Sequence, residues 1–174
     1  MVKFRIEKDS LGNIKVPSDK LWGAQTQRSV QNFKIGVGKF HFQEDFIKAL
    51  AFQKKAAAFT NAQLKLMNNK HALMIGKVCD EIIYGKLNDH FPLVIWQTGS
   101  GTQINMNFNE VIANKSNLLL GSKLPSNKPL HPNDDINKSQ SSNDTIPTAM
   151  HLATLISLNE KLLPEIKDIK ISVK

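Results

Sequence analysis

Hydrophobic and polar residues alternate over the first part of the chain. A Ser-Leu-Gly-Asn turn at residues 10–13 separates two alternating apolar pairs, Phe4 and Ile6 before it and Ile14 and Val16 after it. Alternation with a period of two on either side of a turn is typical of half-buried strands. The pattern predicts a short β-hairpin that ends at Pro17.

Beyond the hairpin, apolar residues recur at the three- and four-residue spacing of helices. Ser18 and Asp19 are candidate caps of a first helix, which contains Trp22 and extends to about Asn32. Two more helices are predicted, from Glu44 to about Leu66 and from about His71 to Lys86, with loops at residues 34–41, 68–69 and 88–92. In the longer one, Phe46, Ala49, Leu50, Gln53, Ala57 and Leu64 alternate with Lys48, Lys54 and Lys55.

A glycine-rich turn introduces the helix around which the chain is organised. The apolar residues 93–96, a short strand or buried coil, precede Gly99-Ser100-Gly101-Thr102. One face of the following helix carries Ile104, Phe108, Val111 and Ile112, and the other carries Asn105, Asn109 and Glu110. Backbone amides, hydroxyls and the positive end of a helix dipole suit a carboxylate or phosphate. An ordinary N-terminal cap explains the same residues.

The last helix follows a proline-rich segment. Residues 120–140 predict a loop with one helical turn, which starts at His131-Pro132-Asn133-Asp134-Asp135. A surface loop also explains the histidine. Ser142, Asn143 and Asp144 are candidate caps of a helix that has Pro147 in its first turn and runs at least to Ile169, with a bend at Pro164. Because its apolar residues lie on most sides, it is expected inside a helical bundle, covered by a longer chain or other subunits.

Composition narrows the classes of partner. The chain has 174 residues, about one domain, with 41% hydrophobic and 22% charged residues, as in soluble globular proteins. Its net charge of +8 suits nucleic acids or small anions. Lysines are spread along the whole length and no basic run is interleaved with aromatics, so nucleic-acid binding is not expected.

Cysteine content and the chain start give further expectations. Cys79 is the single cysteine and lies in an apolar stretch, which predicts a buried structural thiol and excludes an internal disulfide or a Cys-based zinc site. The opening MVKFRIEKDS is unlike a signal peptide, and no run of 18 apolar residues occurs. A cytoplasmic protein without a membrane partner is therefore expected.

Three long segments resemble class II fumarases, of the fumarase/aspartase superfamily. They are FRIEKDSLGNIKVPSDKLWGAQTQRS, GSGTQINMNFNEVIANKS and LHPNDDINKSQSSNDTIPTA, and the resemblance extends from Phe4 to about Lys167. Ser100-Gly101-Thr102-Gln103 and Ser141-Ser142-Asn143-Asp144 are similar to the fumarase versions of these motifs. Aspartate ammonia-lyases tend to have Ala-Gly-Thr-Ser and Ser-Thr-Asn-Asp there.

The resemblance implies reversible addition of water to fumarate, giving (S)-malate, in the citric acid cycle and without a metal or other cofactor. Proton removal beside a carboxylate builds an aci-carboxylate, whose charge needs aimed hydrogen-bond donors. By position in the motifs, the substrate-binding residues would be Ser100, Gly101, Thr102, Ser141, Ser142 and Asn143. A second anion site would comprise His131, Pro132, Asn133 and Asp134.

Two features of the family pattern do not occur in this sequence. The family's catalytic histidine, in a Gly-Arg-Thr-His-like stretch, and its catalytic serine, on a Gly-Ser-Ser loop, are expected beyond residue 174. No catalytic residue is therefore assigned here, and the chain is expected to be an N-terminal part, inactive alone, of a homotetrameric enzyme. The alternatives are an aspartate ammonia-lyase and a non-catalytic helical fragment.

The expected fold is mainly α and similar to the fumarase/aspartase fold. Residues 1–138 would form an N-terminal helical domain with a β-hairpin. Residues 139–174 would begin the central helical-bundle domain with its first long helix. The helices beginning near Thr102 and Thr145 should both point their N-termini at solvent-accessible pockets.

Overall fold

The computed structural model describes residues 3–173, so the expected domain ends at residues 1 and 174 lie outside the described residues. The fold is mainly α, with one two-stranded antiparallel sheet, as expected. The strands are β1 (Phe4–Asp9) and β2 (Gly12–Pro17). The helices are α1 (Ala24–Asn32), α2 (Glu44–Gln63), α3 (Asn69–Ile83), α4 (Thr102–Leu119), α5 (Ser142–Ser157) and α6 (Leu163–Ser172). Short helical turns lie at Asn88–His90, Pro132–Ile136 and Leu158–Leu162.

The hairpin is confirmed, but its two strands face the protein differently. Ile14 and Val16 of β2 are buried, whereas Phe4 and Ile6 of β1 are 57% and 50% exposed. The inward side of β1 carries Arg5, opposite Val16 in the strand register. Its guanidinium donates to three carbonyl oxygens, those of Pro17, Lys20 and Trp22, at 2.9, 2.6 and 2.6 Å. Arg5 thereby fixes the chain between the hairpin and α1.

Helix α1 begins later than predicted, because its cap comes from a distant helix. Trp22 precedes the helix, and neither Ser18 nor Asp19 caps it. The carboxylate of Glu110, in α4, instead accepts the backbone N–H groups of residues 23, 25 and 26 at 2.9–3.0 Å and the Thr26 hydroxyl at 2.6 Å. A Cβ at Gly23 would lie 2.8 Å from Glu110 Oε1, so this approach requires glycine.

Helices α2, α3 and α4 form most of the core, and α4 lies at its centre. The predicted apolar face of Ile104, Phe108, Val111 and Ile112 is confirmed as buried. The expected polar face is buried as well: Asn105, Asn109 and Glu110 are 3%, 0% and 5% exposed. Further asparagines of α4 donate to the carbonyl oxygens of residues 21, 90, 126 and 130. The amide side chains of α4 thus provide hydrogen-bond donors for carbonyl oxygens of the neighbouring loops.

The rest of the core confirms the apolar pattern in part. Cys79 is buried, as predicted. Residues 93–96 are coil apart from one bridge between Val94 and His41. Lys54, which the pattern placed among the polar positions of α2, is only 1% exposed. Leu64, assigned to the apolar positions of that helix, is 63% exposed.

The long final helix is confirmed, with a wider turn in its middle. Ser141 caps α5 by accepting the Asn143 N–H at 3.3 Å, so the predicted caps Ser142, Asn143 and Asp144 are wrong by one residue or more. The wider, π-type turn Leu158–Leu162 comes just before Pro164, which has no N–H for the helical ladder. Helix α6 has no buried residue. Between residues 3 and 173 no helix is long and apolar enough to cross a membrane.

Candidate functional site

Helix α4 starts at an exposed turn rich in hydroxyl groups. Gly101 caps the helix in a left-handed conformation, with φ of 67°, which a glycine adopts without strain. Gln97 Oε1 accepts the Ile104 N–H at 3.0 Å. The N–H groups of Thr102 and Gln103 have no acceptor within residues 3–173. Two donors at the positive end of the helix dipole are thus available to an anion.

The hydroxyl groups of this turn are exposed and lie close together. Ser100 Oγ and Thr102 Oγ1 are 3.0 Å apart, and both residues are exposed. Thr102 also lines a cleft of about 270 Å³ between the hairpin turn, α1 and α4. Arg28 in that cleft is held by Asp9 through two bonds of 2.8 Å, and the guanidinium lowers the pKa of the Asp9 carboxyl. The positive charge of Arg28 is therefore largely neutralised by the Asp9 carboxylate.

Helix α5 also starts at a turn with exposed polar residues, but more of its first backbone N–H groups already donate hydrogen bonds within the chain. The Ser141 hydroxyl oxygen accepts the Asn143 N–H, and the carbonyl oxygen of Ser141 accepts the N–H groups of Asp144 and Thr145. The Asn143 side chain is exposed and Ser142 is half-buried. The carboxamide of Asn143 and the hydroxyls of Ser141 and Ser142 are the side-chain donors that remain available, because the Ser141 oxygen only accepts in the cap. None of residues 141–143 lines the cleft beside Thr102.

A glycine contact joins the two helix starts. A Cβ added at Gly101 would lie 2.7 Å from Cγ1 and 3.0 Å from Cγ2 of Ile146, in the first turns of α5. The backbone at the start of α4 therefore packs directly against the start of α5. Residues 100–102 and 141–143 accordingly occupy neighbouring turns of one chain.

The turn at His131 is arranged differently from the other two. His131 Nδ1 accepts the N–H groups of Asn133 and Asp134 at 3.3 and 3.2 Å, and Asp135 Oδ2 accepts the His131 N–H at 2.7 Å. The amides that an anion would use are thus occupied by the histidine in this conformation. His131, Pro132 and Asn133 line a cleft of about 320 Å³ that also contains Glu7.

Sequence reasoning missed a buried polar cluster behind the two helix starts. Lys54 Nζ donates to Asn137 Oδ1 at 3.1 Å, and Asn105 Nδ2 donates to the same oxygen at 3.0 Å. Burial lowers the pKa of Lys54 to about 7. Spacing could have indicated its burial, because Lys54 lies four residues after Leu50 and four before Ala58, both buried.

Ionisable side chains do not gather into a metal site in this structure. Within residues 3–173 no three His, Cys, Asp or Glu side chains are placed so that they could hold a metal ion together. The available chemistry of the two helix starts is hydrogen-bond donation by hydroxyls, amides and helix dipoles. Such groups bind an anion at neutral pH without titrating themselves.

Comparison with known proteins places the chain in a family. A family model described as lyase matches residues 12–174. The class II fumarate hydratase of Bacillus subtilis (strain 168) is 50% identical over 169 residues, covering 97% of this chain and 36% of the relative. The mitochondrial fumarate hydratase of Rattus norvegicus is 56% identical over 161 residues, covering 92% of this chain and 32% of the relative.

Solved structures agree with the sequence comparison. The class II fumarase from Schistosoma mansoni superimposes with a TM-score of 0.89 and 43% identity, covering 95% of this chain and 34% of that chain. The fumarate lyase:delta crystallin from Brucella melitensis gives a TM-score of 0.84 and 43% identity, covering 89% and 35%. The chain spans about a third of the length of these relatives. It therefore belongs to the lyase family, and the relatives named fumarate hydratase match it over nearly its whole length.

Proposed function

We propose that the full-length protein is a class II fumarate hydratase, which adds water reversibly to fumarate to give (S)-malate in the citric acid cycle. Relatives named fumarate hydratase are 50–56% identical to this chain. The 174 residues supply substrate-binding walls, and the acid and base groups come from outside them. The chain by itself is inactive.

The observation that carries this proposal is the pairing of two exposed helix starts. Gly101 packs against Ile146, and this contact between α4 and α5 supports a shared site for the donors of residues 100–102 and 141–143. The substrate is a dianion, and proton removal beside a carboxylate adds further charge to its oxygens. Each charge-assisted hydrogen bond contributes about 1.5–3 kcal/mol, and each helix N-terminus adds roughly 0.3–1 kcal/mol. The net charge of +8 favours the approach of a dianion.

Each motif residue has a role in this proposal. Ser100, Gly101 and Thr102 hold one part of the substrate. Ser141, Ser142 and Asn143 hold another, and the Ser141 hydroxyl donates to the substrate while its oxygen accepts the Asn143 N–H. The turn formed by His131, Pro132, Asn133 and Asp134 is a second anion site. An anion binds there once the imidazole of His131 no longer accepts hydrogen bonds from the N–H groups of Asn133 and Asp134.

The proposal also covers the architecture of the whole protein. Residues 1–138 form the N-terminal domain, and residues 139–174 begin a central helical bundle shared by a cytoplasmic homotetramer. Support for a shared bundle comes from α6. It has no buried residue, and its apolar side chains Ile166, Ile169 and Ile171 are 50–72% exposed. Apolar side chains exposed on a helix of this length are typical of an interface.

Loss of one donor tests the function. The full-length protein should consume fumarate, followed at its alkene absorbance, and Thr102→Val should lower kcat/KM about a hundredfold, because a hydroxyl donor is lost at unchanged shape. Thr60→Val, at an exposed position of α2, is the matched control and should leave kcat/KM unchanged. A wild-type protein that releases ammonia from aspartate and leaves fumarate untouched would show an aspartate ammonia-lyase instead.

A further inference from the structure

Lys54 is among the largest fully buried side chains, and it lies in the middle of α2. Within residues 3–173 it forms no ion pair with a carboxylate, whereas its neighbour Lys55 pairs with Asp80 at 2.7 Å. Burying an ammonium group without a carboxylate is unfavourable, and an apolar side chain would fill the same space at lower cost. The position of Lys54 therefore requires an explanation other than packing.

The ammonium group of Lys54 is directed at one side chain, that of Asn137. Asn137 follows the Pro132–Ile136 turn and precedes the start of α5. Its Oδ1 accepts both Lys54 Nζ, at 3.1 Å, and Asn105 Nδ2, at 3.0 Å. Lys54 in α2 and Asn105 in α4 thus clamp a single oxygen from two sides.

From Asn137 the contacts continue along the backbone to the cap of α5. Asn137 Nδ2 donates to the Gln140 carbonyl at 3.3 Å, and the Gln140 N–H donates to the Asn137 carbonyl at 3.1 Å. Ser139 between them has a φ of 60°, a left-handed conformation that is uncommon for serine. The next residue after Gln140 is Ser141, which caps α5.

Other groups around this segment reinforce the same conformation. Gln140 Nε2 donates to the carbonyl oxygens of Ile136 and Lys138, at 2.8 and 3.2 Å. Asn61, two turns along α2 from Lys54, donates to the Lys138 carbonyl at 3.0 Å. Residues 137–140 are therefore held at several points, and Lys54 supplies an amine donor among them.

We propose that Lys54 is a positioning residue for substrate binding: through Asn137 it holds the backbone of residues 137–141 in the shape that presents residues 141–143 to a dicarboxylate. The role rests on the proposed function of those residues. Lys54 touches no substrate in this arrangement, because it is buried behind the turn. Its effect reaches the substrate only through the segment that it orders.

A double-mutant cycle on the full-length protein tests this role. Lys54→Met keeps the length of the side chain and removes its donors, and it should raise KM for fumarate about tenfold while kcat changes less than about twofold. Asn137→Ala should also raise KM about tenfold, although it removes the contacts with Asn105 and Gln140 as well. Combined, the two changes should again give about tenfold rather than about a hundredfold, because both break the contact between Lys54 and Asn137. Lys55→Met, next along α2, is the matched control.

Amide hydrogen exchange supplies a readout that does not depend on activity. Lys54→Met and Asn137→Ala should each speed exchange at residues 138–143 and leave α2 and α3 as in the wild type, whereas Lys55→Met should leave residues 138–143 unchanged. If the protein does not act on fumarate, the proposed function fails and this exchange pattern still decides the role of Lys54.

Three results would overturn the proposal. They are an unchanged KM with unchanged exchange at residues 138–143, a hundredfold effect of the double change, and loosening spread evenly over α2, α3 and α5. Should Lys54→Met fail to fold, Asn137→Ala decides alone, because Asn137 is only half-buried. Unchanged exchange and KM in that variant would contradict the role of the contact.

Discussion

At the scale of single residues, Lys54 and Cys79 share one buried environment, and their pKa values shift in opposite directions. Burial lowers the pKa of Lys54 from 10.5 to about 7, partly offset by Cys79, and burial raises the pKa of Cys79 from 9.0 to about 12. Burial disfavours the charged form of each group, so the shifts have opposite signs. Each shift makes the stability of the fold depend on pH.

The sign of that dependence follows from which state binds more protons. Between about pH 7 and 10.5 the unfolded chain protonates Lys54 more than the folded chain does, so stability rises with pH. Above pH 9 the unfolded chain loses the Cys79 proton first, so stability falls toward pH 12. From these two groups the full-length protein should become more stable from pH 7 to 9, by up to about 1.4 kcal/mol per pH unit, stay level to about pH 10.5 and lose stability above it.

Denaturant unfolding at a series of pH values measures this prediction. Lys54→Met should remove the rise between pH 7 and 9, because no buried amine remains to titrate. Cys79→Ala should let the rise continue above pH 9. A Lys54→Met variant whose stability still climbs like that of the wild type would show that other groups cause the pH dependence.

At the scale of elements, the packing of α4 on α5 decides the geometry of the candidate site. Gly101→Ala should destabilise the protein by about 1–3 kcal/mol, because the new Cβ would overlap Ile146 and the left-handed backbone disfavours alanine. Separation of the two helix starts should also raise KM for fumarate. Thermal melting and steady-state kinetics measure the two effects.

A matched control lies two residues away from Gly101. A Cβ at Gly99 would meet no atom within 4 Å, and Gly99 is exposed. Gly99→Ala should therefore change stability by less than about 0.5 kcal/mol. Equal losses in both variants would mean that the turn as a whole, rather than the contact between α4 and α5, determines stability.

Local sequence patterns predicted the elements well, since alternation and helical spacing are properties of neighbouring residues. The hairpin, the helices α2, α3 and α4 and the long final helix follow from such patterns, whereas the cap of that final helix lies at Ser141, before the predicted caps. The cap of α1 did not, because Glu110 reaches Gly23 across 87 residues. The burial of Lys54 could be inferred from its spacing to Leu50 and Ala58, but its contact with Asn137, 83 residues away, could not. Contacts of that separation leave no periodic signal in the sequence.

At the scale of the whole molecule, the chain divides into a packed part and an uncovered part. Residues up to the middle of α5 enclose one core, with α4 at its centre. Beyond it, α6 and the preceding turn bury nothing, and the link back to α2 is an ion pair of 2.7 Å between Lys161 and Asp45. Asp45 raises the pKa of the exposed Lys161, so the Lys161 ammonium stays charged at neutral pH. The ion pair orients the long helix without covering its apolar surface.

That uncovered surface predicts the behaviour of the isolated 174 residues. Leu162, Ile166 and Ile169 are 50%, 50% and 62% exposed at helical spacing, and monomeric proteins rarely expose contiguous apolar patches above a few hundred Å². The isolated chain should therefore self-associate, with a mass by light scattering above the 19.5 kDa monomer. Leu162→Glu with Ile166→Glu should shift it toward 19.5 kDa, because charges on this face repel a second copy. Leu11→Glu, at a 77% exposed position of the hairpin turn, should not. Association that survives the paired change and disappears with Leu11→Glu would place the interface on the hairpin instead of the long helix.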